Sequence, residues 1–286
     1  MTGAPHTGAS QTGVREGGAA AVAAVFARAR TAQRGALIPY LCAGDPDLAT
    51  TETLLAATGA AGADLIELGI PYGDPLADGP TIASAAQRAL EAGTTLEATL
   101  ACAARARRGG APPILAFTYV NPVAQYGVER FADALVAANM CGAIVPDVPL
   151  EEMDALRVAF ERRGLALPLL VAPSTPPARA RAIASRSTGF TYLVSRFGVT
   201  GARREPDFEW LAERAASLRA TSPVPLAVGF GISTAEHVRR ACAIADGAIV
   251  GSALIDVYAG TEGMQAVTRA RGFVAELAAA TPWSSR

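Results

Sequence analysis

The sequence predicts an α/β protein, a (β/α)8 barrel with one extra helix before the first strand. Short apolar segments alternate with alanine-rich segments of helical periodicity, and the alternation repeats eight times along the 286 residues. Each apolar segment is hydrophobic on both faces, which is typical of a parallel sheet covered by helices. Eight such units in about 250 residues match a closed TIM barrel. No G-x-G-x-x-G follows the first strand, so an open dinucleotide-binding sheet is the less favoured alternative.

The N-terminal region divides into two parts. Residues 1–17 are predicted to be a disordered tail, because Gly, Thr, Ala and Ser predominate there without periodicity. Residues 18–34 carry apolar side chains at helical spacing and predict the extra helix, which ends at Gly35. The length allows one large barrel or two smaller domains. The regular alternation that follows favours a single barrel domain over residues 18–286.

The predicted strands and helices follow in a regular alternation. The strands are the short apolar segments Ala36–Ala43, Asp64–Gly69, Pro113–Tyr119, Gly142–Val145, Leu167–Ala172, Phe190–Ser195, Pro225–Gly229 and Gly247–Gly251. The helices are the alanine-rich segments between and after them: Leu48–Ala61, Thr81–Ala92, Leu96–Arg108, Val128–Asn139, Glu151–Arg163, Pro177–Ser185, Phe208–Ala220, Thr234–Ala243 and Thr261–Ala280. Active sites of such barrels form at the C-terminal ends of the strands, so the segments after each strand are the place to look for chemistry.

Composition excludes several function classes. The net charge is −1, and no basic stretch is dense enough to bind nucleic acid. No apolar run is long enough to span a membrane, and the N-terminus lacks the apolar region of a signal peptide. The cysteines are scattered and fit no metal or redox spacing: Cys42, Cys102, Cys141 and Cys242. We therefore expect a cytoplasmic protein with reduced thiols.

Two absences restrict the chemistry further. The sequence contains no lysine, which excludes Schiff-base catalysis and covalently held pyridoxal phosphate. Its only histidines are His6, in the tail, and His237, so a histidine-rich metal site is not expected. We predict catalysis by carboxylates, hydroxyls and backbone amides, with no metal and no cofactor in this chain.

The second predicted strand and its loop carry the main candidate site. Glu67 lies in an apolar strand, where a carboxylate is costly unless it is paired or used. Asp74 and Asp78 follow on a loop rich in Pro and Gly. The alternative is a polar turn beside one hydrogen-bonded Glu. The density of carboxylates at a strand end favours a site with acid and base groups.

Other strand ends add candidate residues. Asp45 follows strand 1 and is expected to cap the next helix. Tyr192 lies on strand 6, and the polar, glycine-rich segment 196–206 after it is typical of a mobile lid. Strands 7 and 8 end in the glycine-rich sequences GFGIS and GS. Such turns in front of helix N-termini let backbone N–H groups approach an anion, so we expect a substrate that bears a phosphate.

The longest of these motifs, LIELGIPYGDPLADGPTI, resembles the signature of the tryptophan synthase alpha subunit family. The resemblance covers nearly the whole chain from Leu37, because further motifs of the family occur in its order: YLCAGDP, ILAFTYVNPV, VPDVPLEE, YLVSRFGVTGAR, VGFGIS and VGSALI. One departure is Gly73, which stands where the family commonly has Ser.

The resemblance implies a (β/α)8 barrel and a specific lyase reaction. The reaction is the retro-aldol cleavage of indole-3-glycerol phosphate into indole and glyceraldehyde 3-phosphate, the penultimate step of tryptophan biosynthesis. It also implies a pyridoxal-dependent β subunit that receives the indole within an α2β2 heterotetramer. Residue by residue, it assigns catalysis to Glu67 and Asp78, phosphate contacts to Gly201, Phe230, Gly231, Gly251 and Ser252, the substrate pocket to Tyr40, Phe117, Tyr119 and Tyr192, lid positions to Arg196 and Thr200, and a partner contact to Asp74.

The residues themselves agree with this chemistry. Indole can act as its own electron sink, because protonation at C3 gives an indolenine whose ring nitrogen accepts the electrons of the breaking bond. Glu67 in its apolar setting is suited to proton transfer. Asp78 on a polar loop is expected to stay ionised and to stabilise charge at the indole N–H. Two alternatives stay open: another phosphate-binding barrel enzyme of the same pathway, and a catalytically silent barrel that regulates a β-type subunit.

Overall fold

The computed structural model describes residues 17–195 and 205–283. The predicted tail therefore lies almost wholly outside the described residues. Three of the predicted site residues, Arg196, Thr200 and Gly201, also lie outside them. The prediction of one domain over residues 18–286 stays a prediction, although the described residues build one eight-stranded sheet.

Eight parallel strands form the barrel, and neighbouring strands in the chain are neighbours in space. The order is β4-β3-β2-β1-β8-β7-β6-β5, so the first strand pairs with both the second and the last. This confirms the predicted fold. The strands are β1 Ala36–Cys42, β2 Ile66–Gly69, β3 Ile114–Phe117, β4 Gly142–Ile144, β5 Leu169–Val171, β6 Thr191–Val194, β7 Leu226–Gly229 and β8 Gly247–Val250.

The barrel closes between β4 and the segment before β5, and this closure depends on one glycine. Gly142 forms an isolated parallel bridge with Ala166. The Gly142 φ angle is +146°, and a Cβ there would lie 1.9 Å from the Ala166 carbonyl oxygen. Since no side chain fits at this distance, only glycine lets the two backbones approach closely enough to pair.

Twelve helices surround the strands among the described residues. They are α1 Gly18–Thr31, α2 Leu48–Ala60, α3 Pro80–Glu91, α4 Leu96–Arg108, α5 Val120–Tyr126, α6 Val128–Ala137, α7 Asp154–Glu161, α8 Pro177–Ala184, α9 Phe208–Arg219, α10 Ala235–Ile244, α11 Ser252–Tyr258 and α12 Gly263–Ala278. The two seven-residue helices α5 and α11 were not predicted. None of the described helices is both long and apolar enough to cross a membrane.

The prediction that Asp45 caps the helix after β1 is wrong. The cap is Asp47, whose side chain accepts a hydrogen bond from the Thr50 N–H at 2.7 Å. Asp45 instead receives two hydrogen bonds from the Arg88 guanidinium of α3, at 2.8 and 2.9 Å. This ion pair, in which Asp45 is buried and Arg88 is half exposed, ties α3 to the end of β1.

The barrel interior has distinct contents at its two ends. At the N-terminal end, Phe26 of α1 packs against Phe190, with 5.8 Å between ring centroids, and covers the first residue of β8. At the C-terminal end the interior is lined by tyrosines that fit only beside glycines. A Cβ on Gly69 would lie 2.0 Å from the Tyr40 hydroxyl, and one on Gly229 would lie 2.3 Å from the Tyr192 hydroxyl. The absence of a Cβ at Gly69 and Gly229 therefore leaves room for the two tyrosine hydroxyls inside this end of the barrel.

Candidate active site

A partly open cavity lies at the C-terminal end of the barrel. Strands β1, β2, β3, β6, β7 and β8 supply its walls or the turns that line it. Most of the site residues predicted from the sequence meet here: Tyr40, Glu67, Asp78, Phe117, Tyr192, Phe230, Gly231, Gly251 and Ser252. Ile82 and Ile249, which were not predicted, complete the lining.

Glu67 is the buried carboxyl group of this cavity. The residue is 1% exposed and sits on β2 beside Tyr40 of β1. Its Oε1 atom has no hydrogen-bond partner among the described residues. Burial raises the pKa of Glu67 well above that of an ordinary glutamic acid, because the ionised form loses its hydration. A carboxyl in this state can hold a proton and transfer it to a group that enters the cavity.

Asp78 is the second carboxyl of the cavity, and it lies on the loop between β2 and α3. Burial raises the pKa of Asp78 to about 6, although a hydrogen bond from the Tyr119 hydroxyl acts in the opposite direction. This pKa is closer to neutrality than the loop position of Asp78 indicated, and the ionised state of Asp78 at neutral pH stays a prediction. Glu67 and Asp78 occupy unlike environments, which lets two carboxyl groups take different roles.

The loop that carries Asp78 is held in place by the segment after β3. The Tyr119 hydroxyl bonds Asp78 and accepts a hydrogen bond from the Ala77 N–H at 3.2 Å. The Tyr119 ring packs on Tyr72 with 5.5 Å between centroids, and Asn121 donates a hydrogen bond of 2.9 Å to the Tyr72 hydroxyl. Tyr119 was predicted to line the substrate pocket. In the structure it lies behind Asp78 and positions that carboxyl.

The cavity walls are aromatic. Tyr40 and Phe117 meet edge to face at 5.7 Å, and Tyr192 and Phe230 do so at 5.5 Å. Burial raises the pKa of both tyrosines, so their hydroxyls are neutral at physiological pH. A flat apolar ring system fits between such walls, and neutral hydroxyls add hydrogen bonds without adding charge.

The turn after β7 has an unusual backbone. Phe230 has φ +65° and Gly231 has φ +90°. A left-handed conformation is costly for a bulky residue and is found where the surrounding structure enforces it. The Ser195 hydroxyl donates a hydrogen bond to the Phe230 carbonyl and holds this conformation. Gly231 lines the cavity from this turn, and Gly251 and Ser252 line it from the start of α11.

The comparison with protein-family models decides the relationship of this chain to known proteins. The tryptophan synthase alpha chain model matches residues 26–282, which is nearly the whole of the described barrel. The chain belongs to the tryptophan synthase alpha chain family. The family resemblance predicted from the sequence is thereby confirmed.

Relatives and solved structures agree with this membership. The tryptophan synthase alpha chain of Synechocystis is 50% identical over 251 residues, covering 86% of this chain and 95% of the relative. That of Chloroflexus aurantiacus is 48% identical over 261 residues, covering 91% and 97%. A chain of Mycobacterium tuberculosis tryptophan synthase superposes with a TM-score of 0.84 at 37% identity, covering 92% and 98%. The alpha subunit from Legionella pneumophila superposes with a TM-score of 0.80 at 30% identity, covering 91% and 97%.

Membership of the tryptophan synthase alpha chain family makes this protein a lyase of tryptophan biosynthesis, as predicted.

Two residues that line the cavity were not predicted from the sequence, although each had a detectable signal. Ile249 is two residues from Gly247 on β8 and two from Gly251 just after the strand, so the three share the inward face. Ile82 is the first large apolar residue after Asp78, on the face that α3 turns to the barrel.

Asp74 does not line the cavity and is exposed on the loop between β2 and α3. Two residues further on, Leu76 is 71% exposed, which is unusual for a large apolar side chain beside an active site.

Among residues 17–195 and 205–283, no group of His, Cys, Asp and Glu side chains is arranged to hold a metal ion.

Proposed function

We propose that this chain cleaves indole-3-glycerol phosphate into indole and glyceraldehyde 3-phosphate, with Glu67 and Asp78 as its catalytic residues. The observation that carries the proposal is the buried Glu67 carboxyl. One of its oxygens has no hydrogen-bond partner among the described residues, and it shares an aromatic cavity with a second carboxyl of different environment. A group of this kind is costly to the fold, and proton transfer to a substrate explains its presence.

Glu67 acts first as acid and then as base. It delivers a proton to C3 of the indole ring, which becomes an indolenine with positive charge on the ring nitrogen. Glu67 then takes the proton from the hydroxyl of the adjacent side-chain carbon. The bond between that carbon and C3 breaks, its electron pair restores the aromatic ring, and the carbinol becomes the aldehyde. Glu67 recovers its proton, so the step needs no metal and no other reactant.

Asp78 stabilises the charge that develops during this step. As a carboxylate it accepts a hydrogen bond from the indole N–H, which becomes more acidic when C3 is protonated. The raised pKa of Asp78, about 6, leaves it mostly ionised at neutral pH. The Tyr119 hydroxyl supports this role because it donates a hydrogen bond to the ionised form.

The substrate spans the cavity. We place its indole ring between Tyr40, Phe117 and Tyr192, near the two carboxyls. Its phosphate lies at the backbone of Gly231, Gly251 and Ser252, where two glycine-containing turns meet at the mouth of the barrel. The remaining assignments rest on the family resemblance alone: Gly201 and Phe230 for the phosphate, and Arg196 and Thr200 for a lid.

We further propose that a tryptophan synthase β subunit is the partner, in an α2β2 heterotetramer. Asp74, together with the exposed Leu76, supplies a charged and an apolar contact on the loop that carries Asp78. Pyridoxal phosphate is assigned only to that partner, since this chain has no lysine to hold it as a Schiff base. We assign the chain to the cytoplasm, which its four buried cysteines support, since none of them forms a disulfide.

Incubation of the purified chain with indole-3-glycerol phosphate tests the proposal. We expect indole and glyceraldehyde 3-phosphate in equal amounts, with or without an added β subunit. A chain that releases no indole under either condition would be the catalytically silent regulator. Conversion of the substrate to a product other than indole would indicate another enzyme of the same pathway.

A further inference from the structure

The second half of the turn after β7 is held by a histidine. The Ser233 N–H points to His237 Nδ1 at 3.4 Å, and the Ser233 hydroxyl lies 3.3 Å from the same nitrogen. His237 is 9% exposed and lies in the first turn of α10. The N-cap of that helix is Thr234, whose hydroxyl accepts a hydrogen bond from the His237 N–H. The cap bonds the backbone N–H of His237, while the imidazole ring contacts the turn that precedes the helix.

The other ring nitrogen fixes how His237 can bond. Nε2 lies 2.8 Å from Glu205 Oε2, and an ionised carboxylate only accepts hydrogen bonds. In the neutral ring the proton is therefore on Nε2, and Nδ1 is left as the acceptor that faces Ser233. The ring also packs on Phe208 of α9, with 6.0 Å between centroids. Three segments of the chain thus meet on one side chain.

The turn needs such an anchor because its backbone is held in an unfavourable conformation. Phe230 and Gly231 both have positive φ angles, and the Ser195 hydroxyl holds the turn at its first half through the Phe230 carbonyl. His237 supplies the matching contact at the second half, through Ser233, which is two residues after Gly231. Gly231 lines the cavity between these two anchors, so its position depends on both.

We propose that His237 is a positioning residue for the substrate-phosphate turn, and that Glu205 sets the ring tautomer that this role requires. The inference deepens the proposed function and rests on it, because it assumes that Gly231 contacts the phosphate. His237 does not touch the reacting atoms. Its effect is on the affinity for the phosphate group rather than on the rate of bond cleavage.

Four variants separate this role from simple helix packing. His237→Leu keeps an apolar contact with Phe208 and removes both hydrogen bonds. His237→Asn keeps an acceptor near the position of Nδ1, and His237→Gln keeps a donor near the position of Nε2. Arg239→Ala is the control on the same helix, where the arginine is half exposed and pairs with Glu236.

The readouts are KM and kcat for indole-3-glycerol phosphate and the inhibition constant of inorganic phosphate. We expect His237→Leu to raise both KM and the phosphate inhibition constant about tenfold, as for one lost hydrogen bond, with kcat nearly unchanged. His237→Gln should resemble His237→Leu, whereas His237→Asn should recover most of the affinity. Arg239→Ala should match the wild type in both constants.

The outcomes distinguish the two proposals. A wild-type chain that does not cleave the substrate contradicts the proposed function. A wild-type chain that cleaves it, with an unchanged KM in folded His237→Leu and His237→Gln, contradicts the positioning role alone. A larger effect of His237→Asn than of His237→Gln also contradicts it, because the contact with Glu205 and not that with Ser233 would then matter.

Discussion

Glu67 shows at the scale of one residue how function opposes stability. Folding removes its carboxyl from water, and one of its oxygens finds no partner among the described residues. The neutral form avoids most of this cost, so burial raises the pKa of Glu67. The same burial that weakens the fold at neutral pH makes the group a proton donor. This trade predicts a pH dependence of stability that can be assigned to one side chain.

We predict that Glu67→Gln reduces the pH dependence of folding stability. The pKa of Glu67 is higher in the folded than in the unfolded chain, so between an ordinary pKa of about 4.3 and the raised one the unfolded chain binds fewer protons. The contribution of Glu67 to the free energy of unfolding is fully present below this pH window. It falls by up to about 1.4 kcal/mol per pH unit as the pH rises through the window. Urea unfolding of both proteins from about pH 5 to 8 measures this, and parallel curves would contradict it.

The acid limb of the activity should report Asp78. Its pKa of about 6 means that kcat/KM falls as pH decreases through 6, because the protonated carboxyl cannot stabilise positive charge. The Tyr119 hydrogen bond lowers that pKa, so Tyr119→Phe should move the acid limb to higher pH. Tyr126→Phe, on the neighbouring helix α5, serves as the control. A limb that stays in place or moves to lower pH in Tyr119→Phe shows that the hydrogen bond does not act on Asp78.

The catalytic carboxyls could be predicted from the sequence, but their environments could not. Strand alternation placed Glu67 on one face, and the position of Asp78 after the strand placed it at the barrel mouth. The hydrogen bond from Tyr119 to the partly buried Asp78 depends on packing between two segments that are distant in sequence. The contact between His237 and Glu205 was missed for the same reason, since 32 residues separate the two.

At the scale of elements, the barrel is closed by one backbone contact. Gly142→Ala would put a Cβ 1.9 Å from the Ala166 carbonyl oxygen in a backbone conformation that alanine rarely adopts. We predict a loss of about 3 kcal/mol or more in the free energy of unfolding. Gly272→Ala is the matched control: it lies within α12 with no atom near the added methyl, and it should gain about 0.5–1 kcal/mol. Equal effects of the two substitutions on urea unfolding would show that the closure is not under steric control.

Periodicity predicted the long elements and missed the short ones. The longer helices have enough residues to repeat a pattern, and the eight strands stood out as short apolar segments; only the ends of these elements shifted. Helices α5 and α11 have seven residues each, two turns, which is too short to show periodicity. Pro122 within α5 and Gly251 before α11 gave the sequence of each the character of a loop. Both helices begin at residues of the candidate site, α5 directly after Tyr119 and α11 at Ser252.

At the scale of the whole molecule, the loop that carries Asp78 also faces outward. Asp74 and Leu76 are exposed on it, while Asp78 lines the cavity. A partner that contacts the outer side of this loop can therefore change the position of the catalytic carboxyl. The predicted lid residues Arg196 and Thr200 lie outside the described residues, and the coupling to a partner stays a prediction.

We predict that Asp74→Ala keeps its basal cleavage rate and loses most of the stimulation by a β subunit. Coupling of this kind is typically worth about 1–3 kcal/mol, or roughly 5- to 150-fold in activity. Indole formation is measured alone and with excess β subunit, and Glu97→Ala, an exposed carboxylate on α4, is the control. Equal stimulation of Asp74→Ala and the wild type would remove Asp74 from the contact.

The rate of indole release by Glu67→Gln, at saturating indole-3-glycerol phosphate, tests the account most directly. Glutamine keeps the shape of the side chain and cannot transfer the proton to C3. We predict a kcat about 10²–10⁴-fold below that of the wild type, with an unchanged fold by circular dichroism. A folded Glu67→Gln chain that releases indole at nearly the wild-type rate would contradict the assignment of proton transfer to Glu67.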